Sequence, residues 1–145
     1  LTQELPLLIL LLVVIILRLP NFFEPYWYGD EGIYLTLGQA MKYGVPLYQG
    51  IVDHKTPLIY FFAMVPNQMW FRLLLTGWML ATTAFFYHVG LRITRSLKAT
   101  IIASTVFVVF TTIPWFEANI PNGELFVMGF ILLGGLLLLY SKFFI

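Results

Sequence analysis

The sequence predicts an all-α membrane protein, with about four transmembrane helices and an amphipathic juxtamembrane helix in a long first outer loop. Three observations carry that expectation. The 145-residue chain is 60% hydrophobic, with a mean hydropathy of +0.87. Charged residues make up 10% of it, less than half of the roughly one quarter usual in soluble domains. Four apolar stretches approach the length of about 20 helical residues that a hydrocarbon core demands. The same arithmetic excludes a disordered tail, a soluble enzyme domain of ordinary composition and, at a net charge of +1, a nucleic-acid binder with a basic face. No cysteine is present, so disulfides, thiolate nucleophiles and thiolate metal sites drop out together.

The first span runs from about Leu5 to Leu19, with Pro6 near its start and Pro20 closing it. It is short enough to suggest a signal peptide. Glu4 stands where a positive flank belongs, however, and no small-residue cleavage site follows, so a retained helix is the better reading. The chain opens on Leu, which suggests either a processed chain or a piece of a longer one, and it reads as one membrane module. The second span covers about Met69 to Leu91, the third Ala99 to Phe116 and the fourth Leu125 to Tyr140. Gly134-Gly135 in the fourth suits close helix packing. His88 lies inside the second, where a packing hydrogen bond is its commonest role. Between the first two spans, residues 21–68 are too polar for lipid. They contain an apolar run, Pro57 to Pro66, too short to cross and better suited to the interface.

The turn from Arg92 to Lys98 holds three basic residues and no acid, and Lys142 follows the fourth span. That side is therefore expected to be cytoplasmic, with the long loop outside. Six of the seven carboxylates (Glu24, Asp30, Glu31, Asp53, Glu117, Glu124) then fall on or near the outer face.

The outer loop carries the chemistry. In Tyr28-Gly29-Asp30-Glu31-Gly32-Ile33-Tyr34, two carboxylates open a helix whose apolar positions Ile33, Leu37, Ala40 and Met41 recur at helical spacing before Gly44 stops it. Capping explains one acid at such a place; two acids with Tyr34 a turn later exceed that need, and a half-desolvated carboxylate can serve as a general base. Lys55, in Asp53-His54-Lys55-Thr56-Pro57, could hold a lipid-borne phosphate or simply snorkel to headgroups. Arg72, a turn inside the second span, could also meet phosphate, because a charge at that depth faces protein or a wet cavity. Before the fourth span, Asn122 is a candidate cap and Glu124 lies in the first turn. The carboxylates and His54 could recruit a divalent cation, though no ligand spacing demands one.

Jointly, Gly29-Asp30-Glu31-x-x-Tyr34, Gly44-x-Pro46-x-Tyr48, Asp53-x-Lys55-x-Pro57-Leu58-x-Tyr60 and Asn119-x-Pro121-Asn122-x-Glu124 resemble the N-terminal part of the GT-C integral-membrane glycosyltransferases. The likeness is narrowest to the protein mannosyltransferase and aminoarabinose transferase branch. That resemblance implies transfer of a sugar from a polyprenyl-phosphate carrier to a protein or glycolipid acceptor outside the cytoplasm. It implies Asp30 as the catalytic carboxylate with Glu31 supporting it, and Tyr34, Lys55, Arg72 and Glu124 as substrate-binding residues. Members of that group are much longer and have more spans. The competing expectation is a non-catalytic polytopic protein, a lipid-binding subunit or transporter piece, whose interfacial acids are only caps and anchors. A transporter would call for ionisable groups or helix breaks near the bilayer midplane, and His88 is the sole candidate there.

Overall fold

The computed structural model describes residues 3–25 and 28–141. Among these residues six α-helices follow one another: α1 (Glu4–Arg18), α2 (Gly29–Lys42), α3 (Pro57–Phe62), α4 (Gln68–Thr94), α5 (Leu97–Phe110) and α6 (Gly123–Tyr140). Among the described residues there is no strand, only an isolated bridge between Leu47 and Ile51. Three helices among the described residues are long and apolar enough to cross a membrane: α1 with its 3-10 extension to Phe22, α4 and α6. They mark the chain as a membrane protein, and their outer faces suit lipid, with Leu8, Ile131 and Leu137 each more than 60% exposed.

α1 accepts Pro6 in its first turn, where the missing N–H has no partner to lose, and gives way at Leu19–Phe22 to a 3-10 turn containing Pro20. α4 begins at Asn67, whose side chain accepts from the Trp70 N–H, and ends at Arg95, which takes a left-handed cap at φ +52°. Ser96 and Asn122 cap α5 and α6 in the same way as Asn67 caps α4. α4 is the hub of the bundle, with α1, α5 and α6 packed around it. Their antiparallel order is fixed by long-range bonds: the Tyr87 hydroxyl donates to the Gln3 carbonyl at one end, and the Arg72 guanidinium donates to the Asn21 carbonyl at the other.

Two expectations need correction. The third apolar stretch does not form one helix from Ala99 to Phe116. α5 stops at Phe110 after 14 residues, about 21 Å of rise, short of a hydrocarbon core of about 30 Å. The Thr111 and Thr112 hydroxyls turn back onto the Phe107 and Val108 carbonyls, and Pro114 then opens a separate 3-10 turn. The second correction concerns Gly134 and Gly135, which have open space where a side chain would stand. Close approach occurs instead at Gly129, where an added Cβ would lie 2.5 Å from Trp78 Nε1 and 2.6 Å from Thr82 Oγ1.

α2 and α3 pack on each other at the end of the bundle that holds the start of α4. Gly38 permits this, since a Cβ there would meet the Ala63 carbonyl oxygen at 2.5 Å. The buried face of α2 is Glu31, Tyr34, Leu35, Leu37 and Gly38. Ile33, expected on the apolar side, is exposed. The helix is rotated to bury its acid and its tyrosine, because both find partners inside.

Candidate active site

At the α2 end, Asp30, Tyr28, Lys55, Glu117, Asn122 and Glu124 line one cavity of about 360 Å³. Asp30 arrives on the first turn of α2, Lys55 on the segment leading into α3, and Glu124 on the first turn of α6. The Asn122 side chain caps α6 by accepting from the Leu125 N–H at 3.2 Å. This fixes the direction in which α6 leaves the cavity. Lys55 Nζ lies 3.4 Å from Glu124 Oε1, a loose pair that leaves the ammonium free to make further bonds.

Asp30 and Glu31 do not cap α2, whose N-cap is Tyr28 with no side-chain bond. They diverge instead. Asp30 faces the cavity and accepts a hydrogen bond of 3.1 Å from the Tyr34 hydroxyl, one helical turn on. Glu31 turns inward, fully buried, and takes both Nε and Nη2 of Arg72 at 2.7 Å each in a bidentate pair. Gln68 donates to the same carboxylate at 2.9 Å. The remaining Arg72 donor reaches the carbonyls of Asn21 and Glu24. Arg72 is thus engaged on every side, and its guanidinium ties α4 to α2 and to the chain leaving α1. Glu31, Arg72 and the buried Tyr34 do not line the cavity themselves, and Tyr34 reaches it only through its bond to Asp30.

A second bracket surrounds Asp53. Its carboxylate accepts from the Tyr60 hydroxyl at 2.8 Å and from the His54 N–H at 2.7 Å, with His54 Nδ1 2.9 Å away. Burial alone would raise its pKa. The bonds from Tyr60 and His54 outweigh that and hold the Asp53 carboxyl below the usual range. Tyr60 meets Tyr34 edge to face at 6.1 Å, linking the two carboxylates through a pair of phenols. Both phenols are pushed far up, by burial first and then by the carboxylate each one serves, so both remain donors at any physiological pH. Tyr28 rises to about 12, chiefly through its hydrogen bond to Glu117 and then through burial and the surrounding negative charge.

The residue that sequence reasoning passed over is Arg18. Almost fully buried at the end of α1, it donates to the carbonyls of Thr111 and Ala118 at 2.8 Å each and of Asn119 at 3.4 Å. It thereby closes the exposed backbone where α5 stops short, the requirement that an apolar surrounding imposes. Asn21 adds a bond of 2.7 Å to the Asn119 carbonyl, and Asn119 in turn donates to Glu24 at 3.0 Å. The cue was present in the sequence: an arginine inside an apolar run is costly enough to require a partner.

Beside the polar cavity, an apolar groove of about 680 Å³ opens between α5 and α6 over a floor of Phe86, with Phe107, Val127 and Ile131 in its walls. Lys55 and Glu124 border both spaces, and His54 stands at the mouth of the groove. His88, expected inside the bundle, sits instead near the far end of α4 beside a separate cavity. Among the described residues no three His, Asp or Glu side chains converge as metal ligands would. Lys142 and its charge lie outside the described residues. No protein-family model, curated protein or solved structure matches the chain.

Proposed function

We propose that the chain is the loop-bearing module of a GT-C-type glycosyltransferase that moves a sugar from a polyprenyl-phosphate carrier to an acceptor at the outer membrane face. The observation that carries this reading is the junction at Lys55, where a cavity with a positioned carboxylate adjoins an apolar groove along α5 and α6. An amphipathic donor needs such a junction, with its tail in the groove, its phosphate at the ammonium and its sugar in the polar cavity. In this reading α5 is the third crossing, completed by residues 111–116, with Arg18 donating to the carbonyls of Thr111 and Ala118. α2 and α3 lie at the outer interface, and the Arg92–Lys98 turn is cytoplasmic by its basic charge.

The chemistry follows from the side chains. The acceptor hydroxyl oxygen attacks the anomeric carbon while the bond from that carbon to the phosphate oxygen breaks. The departing phosphate keeps the electron pair, and Lys55 stabilises its charge. Asp30 takes the acceptor proton as general base, held in direction by Tyr34. The remaining acids on the cavity, Glu117 and Glu124, suit hydroxyl groups of the sugar as acceptors.

Transfer of a labelled sugar from a defined polyprenyl phosphate, followed in membranes carrying the protein, tests the proposal. Asp30→Asn should abolish transfer while leaving donor binding intact, and Lys55→Ala should weaken donor binding. If Asp30→Asn retains transfer, the site assignment fails. If the wild type binds a polyprenyl phosphate and transfers nothing, the chain is a lipid-binding subunit instead.

A further inference from the structure

The opposite end of the bundle holds a second polar cavity with the reverse charge. Antiparallel order gathers the start of α1, the end of α4, the start of α5 and the end of α6 around about 470 Å³ lined by Glu4, His88, Arg92, Arg95, Leu97 and Tyr140. Its two guanidinium groups face one carboxylate, and among the described residues neither arginine joins an ion pair. Arg92 is held by stacking over the Tyr140 ring at 3.9 Å, which orients its planar fork without using its donors. Arg95 occupies the left-handed cap of α4, a backbone position that fixes where its side chain leaves the helix. A pocket at the helix ends with surplus guanidinium charge suits a phosphate group.

We propose that this cavity binds phosphate, carried by the headgroup of an anionic phospholipid in the leaflet bordering that end. The apolar faces beside it, Ile93 on α4 and Leu137 and Leu138 on α6, are exposed and suit acyl chains. The inference does not depend on sugar transfer, because the cavity shares no residue with the Asp30 site.

The test uses the full chain in detergent micelles, with lipid binding counted by native mass spectrometry. Dioleoyl phosphatidylglycerol should bind more tightly than dioleoyl phosphatidylcholine. Arg95→Asn keeps the left-handed cap, which Asn tolerates, and removes the cation. It should weaken phosphatidylglycerol binding roughly tenfold, the worth of one charge-assisted hydrogen bond. Lys42→Gln, which deletes the same charge at the other end, should leave binding unchanged, and the thermal midpoints of both variants report that they fold. Competition by sodium phosphate, absent with equimolar chloride, would assign recognition to the phosphate alone. Its absence would mean that the lipid's tails contribute; either result keeps the site. Equal binding of the two lipids, or equal loss in Arg95→Asn and Lys42→Gln, would overturn it.

Discussion

Asp30 and Glu31 are neighbours in the chain with opposite fates, because successive residues on a helix point about 100° apart. One faces the cavity; the other is buried against Arg72. The buried pair is a structural clamp, and a pair broken on one side leaves an uncompensated charge. Glu31→Gln is therefore expected to cost about 3–5 kcal/mol in equilibrium unfolding. If Glu31→Gln unfolds like the wild type, the clamp is not what holds α2 to α4. Asp53 gives a pH signature. Its folded pKa is depressed, so its contribution to stability is present above the unfolded value of about 3.9 and is lost as pH falls through the folded one. Between pH 5 and pH 3, thermal midpoints should fall less in Asp53→Asn than in the wild type.

At the scale of elements, glycines decide how closely helices approach. Gly129 lets α6 lie against Trp78 and Thr82 on α4, and the Trp78 indole is itself fastened to the Phe126 carbonyl at 3.2 Å. Neither neighbour can give way cheaply. Gly129→Val is expected to destabilise by about 1–3 kcal/mol through overpacking, whereas Gly134→Ala should be neutral or slightly stabilising, since the site is open and Ala favours helix. Denaturation in mixed micelles would separate the two. α5 depends on a residue outside itself, because its end is satisfied by Arg18 from α1. Arg18→Met should loosen residues 111–119 and raise amide exchange there while leaving α1 helical.

At the scale of the molecule, charge is sorted along the bundle. Carboxylates gather where α2, α3 and the start of α6 meet, and arginines gather where α4 turns into α5. A chain with no cysteine offers a clean check of sidedness. Tyr43→Cys and Lys98→Cys place single thiols at exposed positions at opposite ends. A membrane-impermeant maleimide should label only Tyr43→Cys in intact cells and both variants in lysed ones. Labelling of both from outside would refute the proposed orientation.

Composition and apolar lengths were sufficient to read an all-helical membrane chain, because hydrocarbon admits few ways to satisfy a backbone and helices are the local one. Three of the four apolar stretches became helices long enough to cross. The remaining one, the third, was misjudged in length because hydropathy counts Thr111 to Phe116 as apolar and ignores hydroxyls that bend back on the backbone. Asn122 was legible as a cap since capping is decided within a turn. The partners of Glu31 and Arg18 were not. Arg72 lies 41 residues from Glu31, and Ala118 lies 100 from Arg18. Periodicity sets the angle at which a side chain leaves its own helix, but only packing decides what waits there. The sequence alone therefore identified the polar side chains of this end of the chain. The tertiary structure decided which carboxylate opens on the cavity, because burial consumed the other in holding the helices together.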